Sequence, residues 1–445
     1  MNNITCTPIV IQGSHWEIGQ IFGELSSAAF PSFIEQSSTW RALQHWKGSL
    51  IVKQIRDNVM KHFPWVWEEL NGMATSLNMD VLDLLLWNSR GDILHATQDG
   101  CTSVTSFSMI GDVPVPTCGH NEDGDPFLSS KCHIIDVRPP NSPRFICFFY
   151  PGSIPGHSFG FNENHVMHTV NNLRMKVKAA NDDVWQLGIP RMVISRALLS
   201  CVSTTEAVNL LRNTRPIGGF HYTLCQQMST PPPPPPSPPS ADTGIIPAHL
   251  QVLSIEHTAD MLSIIPLNPQ FQFVHTNHTV HDELFSKSKT SAGSTSCAHP
   301  VREILKYSSE GEKQEEEGSK GTVNSCREVV TLSSLTRYHR ACSITAAPIC
   351  EKQNESPFSC IDRIKSVLTD TTDEDVNHCP IFRQQPDDPD EENTIVSVAF
   401  SVLSVGDSMH EPSSETAGDK GICQMSLFNF RENGAGAAPL ITLTL

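Results

Sequence analysis

The chain has 445 residues, with 31 lysines and arginines against 48 acidic residues and a formal net charge of -17. This excess of negative charge argues against nucleic acid or an anionic membrane surface as the main partner. Cysteine is frequent, at 14 residues, but the sequence contains no CxxC pair and no HExxH motif. Neither a disulfide framework nor a metal site is therefore predicted.

The first hundred residues are predicted to be mainly helical. Apolar residues recur at helical spacing over 51–63, Pro64 suits the first turn of a helix over 65–77, and Asp80 is a candidate cap for a helix over 81–87. The opening residues lack a basic segment followed by a long apolar one, and no apolar run is long enough to span a membrane. We therefore expect a cytoplasmic protein with no membrane partner.

The pattern changes abruptly at Gly100. Beyond it, short apolar runs separated by turn residues predict strands at 102–108, 115–120, 133–137, 145–150, 166–170, 220–226, 246–255, 261–265, 271–275, 394–404 and 423–430. Two helices are predicted among them, at 190–201 and 204–212. This order favours an α+β fold in which stacked sheets are covered by helices, rather than a parallel α/β fold.

Four segments differ from the rest in composition, near 229–242, 286–325, 384–393 and 406–420. The first is nearly all proline and the others are polar and charged, which predicts inserts that loop out from the core. The proline run is interpreted as a surface spacer, with an SH3-type partner as the alternative. The chain is therefore predicted to consist of a helical prosegment, 1–100, and a catalytic domain, 101–445, that contains the four inserts.

The junction between Gly100 and Cys101 is the first candidate site. If this bond is cleaved, Cys101 acquires a free α-amine whose pKa of about 7.7–8.0 allows it to accept the thiol proton near neutral pH. One residue then supplies both the nucleophile and the base. A glycine before the bond lets the thiol approach its own carbonyl. On its own, a Gly-Cys pair is far more typical of a buried structural cysteine after a turn, and it is the change from helices to strands at this point that favours a cleavage site.

Seven short motifs occur in an order that is similar to one known family. They are GSHWEIGQIFG (13–23), WNSRGDI (87–93), GCTS (100–103), GHNED (119–123), GFNENHVMHTVNNL (160–173), GGFHYT (218–223) and HTNH (275–278). Together they resemble the penicillin acyltransferase family of N-terminal nucleophile (Ntn) hydrolases, which includes isopenicillin N acyltransferases and β-alanyl-dopamine hydrolases. The resemblance implies a four-layer αββα sandwich with a helical N-terminal segment.

The resemblance also implies roles for individual residues. Cys101 is the nucleophile, Asn277 donates to the oxyanion, Asp123 orients the amine or assists self-cleavage, and Thr223 is a small hydroxyl residue near the nucleophile. The candidate substrate-binding residues are Asn171, His120 and Arg363. From the residues alone, each has an ordinary alternative: a strand-end cap for Asn277, a turn residue for Asp123, a strand threonine, a turn-supporting asparagine and a surface arginine.

Two positions depart from the family pattern. Glu122 stands where the family often has a bulky aromatic residue, and His165 stands where it usually has a glycine. Both are expected close to the pocket, so they bear on the substrate more than on the mechanism.

The sequence thus predicts a self-processing cysteine enzyme that needs no cofactor. Cys101 would form an acyl-enzyme from a small-molecule amide and pass the acyl group to water or to an amine, with acyl-CoA as a candidate donor. Residues 1–100 would stay associated with the rest as a small subunit. The alternatives are an inactive relative that serves as a binding or scaffold protein, and a papain-like protease, which needs its cysteine at a helix N-terminus.

Overall fold

A computed structural model of the protein describes residues 5–94, 100–110, 113–175, 188–226, 252–282, 303–306, 328–345, 357–372, 380–383, 393–403, 422–428, 439 and 441–444. The described strands are β1 (Thr5–Gln12), β2 (Cys101–Ile110), β3 (Val113–Gly124), β4 (His133–Arg138), β5 (Phe145–Phe149), β6 (Phe159–Asn162), β7 (Val166–Asn172), β8 (Gly219–Gln226), β9 (Val252–Thr258), β10 (Met261–Pro266), β11 (Phe273–His275), β12 (Glu303–Lys306), β13 (Asn393–Leu403), β14 (Ile422–Phe428) and β15 (Ile441–Thr444).

These strands form two sheets. A nine-stranded sheet has the order β1-β4-β5-β6-β7-β8-β9-β10-β12, and a six-stranded sheet has the order β11-β2-β3-β13-β14-β15. All neighbours are antiparallel except β1 and β4, which are parallel. Strand β2, which begins at Cys101, lies between β3 and β11.

The described helices are α1 (His15–Ser26), α2 (Phe30–Gln36), α3 (Ser38–Leu43), α4 (Leu50–His62), α5 (Pro64–Leu77), α6 (Val81–Asn88), α7 (Arg90–Ile93), α8 (Arg191–Leu198), α9 (Thr204–Arg212), α10 (Leu332–Thr345) and α11 (Pro357–Leu368). Helices α1, α4, α5, α6, α8 and α9 share one apolar core with the nine-stranded sheet. Helices α10 and α11 share another with the six-stranded sheet.

A third apolar core lies between the two sheets. Strand β5 illustrates why the sheets are buried on both faces: Cys147 and Phe149 belong to the helix-side core, whereas Ile146 and Phe148 belong to the inter-sheet core. Successive side chains of a strand point to opposite faces, so a strand with a layer on each side is apolar throughout. Three cores between four layers make an αββα sandwich, which confirms the predicted fold.

The N-terminal helices form where local signals predicted them. Pro64 occupies the first turn of α5, and the Asp80 side chain accepts a hydrogen bond from the main-chain N–H of Leu82 at the start of α6. Helices α1 and α5 approach so closely that a Cβ added at Gly19 or Gly72 would collide with the main chain of the opposite helix. These helices are therefore a packed layer of the sandwich.

Some elements were not predicted. Strand β1 joins the nine-stranded sheet from the mainly helical segment, and helices α10 and α11 follow the second predicted insert. Of the four predicted inserts, only 303–306, which forms β12, and Asn393 fall within the described residues. The described helices include none that is both long enough and apolar enough to cross a membrane.

Candidate active site

Cys101 is the first residue of β2, and neighbouring strands bring polar groups to it. In the sheet register Cys101 lies opposite Glu122 on β3, and Ser103 lies opposite His275 at the end of β11. The turn after β11 therefore carries Asn277 to the thiol. The Cys101 main-chain N–H donates to Asn277 Oδ1 at 3.0 Å, and Asn277 Nδ2 donates to Cys101 Sγ at 3.1 Å.

Asn277 is itself held on several sides. Its main-chain N–H donates to Ser334 Oγ at 2.8 Å, and its Nδ2 also donates to the Asn172 carbonyl at 3.1 Å. A main-chain hydrogen bond from Asn172 to Cys101 lowers the pKa of the thiol. Two donors, the Asn277 amide and the Asn172 N–H, thus meet at the sulfur, where they favour the thiolate form.

Arg337, on helix α10, is a site residue that sequence reasoning missed. Its Nη1 donates to the Cys101 carbonyl at 2.7 Å and to Thr102 Oγ1 at 2.9 Å, and its Nη2 donates to Asn277 Oδ1 at 2.7 Å. The side chain is almost fully buried. Its guanidinium therefore connects the Cys101 main chain to the Asn277 amide. In the sequence, Arg337 lies in a segment for which neither a helix nor a strand was predicted, so no pattern there marked it as a site residue.

The carbonyl of Gly100, on the other side of the predicted cleavage bond, is also bound. The Asp123 main-chain N–H donates to Gly100 O at 3.0 Å. The Asp123 carboxylate accepts from Thr394 Oγ1 at 2.8 Å and lies 3.7 Å from Arg383 Nε. Asp123 therefore sits beside the scissile bond with its side chain pointing to β13 and to 380–383.

The resting thiol is protonated. Burial, and then Glu122 in its charged form, raise the pKa of Cys101 to about 12, while the hydrogen bonds from Asn172 and Asn277 and the charge of Arg337 lower it in part. Cys101 as an internal residue is consequently a weak nucleophile near neutral pH, and a proton acceptor is needed to activate it.

A cavity of about 390 Å³ opens at Cys101. Its floor includes Gly100, Cys101, Glu122 and Asn172, and its other described walls come mainly from 33–41, 87–91, 124–128, 150–157 and 191–192. The size suits a small-molecule ligand. Both aromatic and charged groups line it, among them Phe33, Trp87, Phe127, Tyr150 and Phe220 with Arg41, Arg90, Asp125 and Arg191.

The remaining predicted residues lie at varying distances from the thiol. Asn171 and His120 are in a buried polar layer between the sheets, joined through Ser103 at 2.7 and 2.9 Å, and neither is among the described residues that line the cavity. Thr223 is buried on β8, and no hydrogen-bond partner for its hydroxyl lies among the described residues. Arg363 donates to the Phe107 carbonyl at 3.3 Å, six residues along β2 from Cys101, or about 20 Å.

His165, in place of the family glycine, lies in the turn between β6 and β7 and is not among the described residues that line the cavity. Its φ is 59°, in the left-handed region in which glycine is favoured. Among the described residues there is no group of three or more His, Cys, Asp or Glu side chains that could hold a metal ion.

Two solved structures are similar to the chain. A crystallised mutant of the conjugated bile acid hydrolase from Clostridium perfringens is similar with a TM-score of 0.40 and 12% sequence identity, over 77% of this chain and 96% of that chain. A second variant of that hydrolase has a TM-score of 0.32 and 12% identity, over 79% of this chain and 90% of that chain. No curated protein sequence matches the chain.

The profile of one protein family, described as acyl-coenzyme A:6-aminopenicillanic acid acyl-transferase, matches residues 114–405, about two thirds of the chain. This match confirms the family that the seven motifs predicted, and it indicates an enzyme of the hydrolase and acyltransferase type that acts on amides. The chain belongs to the acyl-coenzyme A:6-aminopenicillanic acid acyl-transferase family.

Proposed function

We propose that the protein cleaves its own chain between Gly100 and Cys101 and that Cys101 then acts as an N-terminal nucleophile on a small-molecule amide. One observation carries this proposal. The Asn277 side chain contacts both the main-chain nitrogen and the sulfur of Cys101, while the Gly100 carbonyl accepts from Asp123. The nitrogen and the sulfur of Cys101 and the carbonyl oxygen of Gly100 therefore each have a hydrogen-bond partner at the bond to be cleaved.

The first step is self-cleavage. Cys101 Sγ attacks the Gly100 carbonyl carbon, and the Asp123 N–H stabilises the negative charge that develops on the carbonyl oxygen. The proton that the thiol loses passes to the Cys101 nitrogen as the C–N bond breaks, which leaves a thioester between Gly100 and the sulfur and a free amine on Cys101. Water then hydrolyses the thioester, so Gly100 ends in a carboxylate and Cys101 gains a free α-amine and its thiol.

The second step is turnover of the substrate. The α-amine accepts the thiol proton, and the thiolate attacks the acyl carbon of the amide. Asn277 Nδ2 and the Asn172 N–H, which already meet at the sulfur, donate to the oxyanion. The leaving amine takes the proton from the α-ammonium. Water or an acceptor amine then attacks the acyl-enzyme and releases the thiol.

Cleavage and thiol dependence can be tested together. Intact mass measurement of purified protein is expected to give two fragments that break before Cys101, and the Cys101→Ala variant is expected to remain one chain. Cys118→Ala, which removes a buried cysteine on the adjacent strand, is the matched control and should still be cleaved. Cleavage of Cys101→Ala at the same bond would refute the proposal. A wild-type chain that stays whole and leaves Cys101 unlabelled by iodoacetamide would favour the inactive binding protein instead.

A panel of N-acyl amides, assayed with and without acyl-CoA, would narrow the range of candidate substrates. Release of amine without acyl-CoA identifies an amidohydrolase, and dependence on acyl-CoA identifies an acyltransferase. Loss of both activities in Cys101→Ala, with retention in Cys118→Ala, would assign them to this site.

A further inference from the structure

A buried polar layer beside Cys101 links Asn171, Ser103, His120 and Glu122 through a chain of hydrogen-bonding contacts. In it, Ser103 Oγ lies 2.7 Å from Asn171 Oδ1 and 2.9 Å from His120 Nδ1, and His120 Nε2 lies 3.0 Å from Glu122 Oε2. Ser103, His120 and Asn171 are fully buried or nearly so. The donors and acceptors can therefore be counted along this chain of contacts.

The count begins at Asn171. Its Nδ2 donates to the His275 carbonyl at 3.4 Å, and a carbonyl can only accept, so the opposite atom, Oδ1, faces Ser103. Because Oδ1 also only accepts, the single hydroxyl proton of Ser103 points to Asn171. His120 Nδ1 must then carry a proton and donate to Ser103 Oγ.

The last contact is thereby fixed. With one proton already on Nδ1, the 3.0 Å contact between His120 Nε2 and Glu122 Oε2 is a hydrogen bond only if one further proton lies between them. Without that proton, the Glu122 carboxylate oxygen and the unprotonated Nε2 of His120 would face each other as two acceptors. The proton can reside on either partner, and in both arrangements the pair has no net charge.

We propose that His120 and Glu122 share one proton, which keeps a neutral pair opposite Cys101, and that loss of this proton at higher pH sets an upper limit to the reactivity of the thiol. Glu122 is on this view a positioning residue that acts through the electrostatics of Cys101. The effect of the shared proton on catalysis rests on the proposed function, whereas the assignment of the proton to the His120–Glu122 pair does not.

The surroundings favour the neutral pair. Burial lowers the pKa of His120 to about 3, which favours the arrangement with the proton on Glu122. In its charged form Glu122 raises the pKa of Cys101 and of Cys132. Among the described residues, the titratable or charged groups that face the pair include Cys101, Asp123, Cys132, Tyr150, His168 and His221, with Arg337 facing Cys101 from helix α10.

The size of the effect follows from the register. Residues directly opposite in an antiparallel pair have Cβ atoms about 5 Å apart. A unit charge at about that distance, in an effective dielectric of about 20, reduces the thiolate population about a hundredfold. As pH rises through the pKa of the pair, the new negative charge raises the thiol pKa, so the gain in thiolate with pH stops.

The variant that tests this is Glu122→Gln. Glutamine resembles the protonated acid: its Nε2 can donate to His120 Nε2 and its Oε1 can accept from the Tyr150 hydroxyl, which now donates to Glu122 Oε1 at 2.9 Å. It cannot become negative. The rate of Cys101 alkylation by iodoacetamide is measured against pH in both proteins, with Cys101→Ala subtracted as background.

The two profiles are expected to coincide at low pH and to diverge at high pH, where Glu122→Gln should react up to about a hundredfold faster. Tyr150→Phe is the matched control. It removes a hydrogen bond to the charged carboxylate, so its profile should bend at a higher pH than that of the wild type. Superimposable profiles for wild type and Glu122→Gln, or a downward shift in Tyr150→Phe, would overturn the proposal.

Nitrogen NMR of histidine-labelled wild-type protein gives a second, independent readout. The His120 signal, identified by its loss in His120→Asn, should report a protonated Nδ1 near neutral pH. A neutral ring protonated on Nε2 instead would overturn the proton count. This measurement needs no substrate and no chain cleavage, so a failure of the proposed function leaves it decisive.

Discussion

Replacing Asn277 by aspartate separates the two roles that its side chain has at Cys101. The Oδ1 atom accepts hydrogen bonds from the Cys101 N–H and from Arg337, and the Nδ2 atom donates to the sulfur. Aspartate keeps the acceptor and removes the donor. Losing one such donor costs about 2.7–4 kcal/mol of transition-state stabilisation, or about a hundred- to a thousandfold in rate.

The assay for Asn277→Asp is single-turnover acylation by an activated acyl ester, with a thermal melt to verify folding. The Gly100 carbonyl accepts from the Asp123 N–H rather than from Asn277, so the chain should still be cleaved and the mature enzyme can be assayed. Asn277→Ala, which removes both roles, should be impaired at least as strongly. Acylation by Asn277→Asp within about tenfold of wild type, in a folded protein, would refute the oxyanion role.

Three further outcomes are expected. Arg337→Gln removes the positive charge that lowers the thiol pKa of Cys101, so this pKa should rise and alkylation near neutral pH should slow; an unchanged pH profile would contradict this. Glu69→Gln breaks a buried ion pair with Arg196 and should lower the free energy of unfolding by about 3–5 kcal/mol in a denaturant titration, whereas less than about 1 kcal/mol would argue against it. His165→Gly should raise that free energy by about 1 kcal/mol, and a lower value would show that the imidazole contacts outweigh the strain.

Local signals were enough for much of the fold. Helices α4, α5 and α6 have apolar faces at helical spacing and clear first-turn residues, so their predicted limits lie within two residues of the observed ones. Strand β1 could not be found this way, because its partner β4 follows more than a hundred residues later and the pairing is parallel. Contacts at such separation leave no periodic pattern in one segment.

The site residues show the same limit. Asn171 and Asn172 are adjacent, and Asn171 is the predicted substrate-binding residue, whereas Asn172 contacts Cys101 and lines the cavity. Neighbouring residues of a strand face opposite sides, so the sequence alone does not show which of the two faces the cavity and which faces the inter-sheet layer. Arg337 was missed because a buried arginine is rare, and only the packing of α10 against β11 shows what holds it.

Residues of the N-terminal segment, 5–94, line the cavity together with Cys101. Described cavity residues come from both sides of the proposed cleavage bond: 33–41 and 87–91 precede it, and Glu122, Tyr150 and Asn172 follow it. The buried Glu69–Arg196 pair spans the same divide, with two hydrogen bonds of 2.9 and 2.8 Å between α5 and α8. Release of the first fragment would break this pair and expose one face of the nine-stranded sheet. We therefore expect both fragments to co-elute in gel filtration after cleavage, and a free large fragment that stays active would contradict this reasoning.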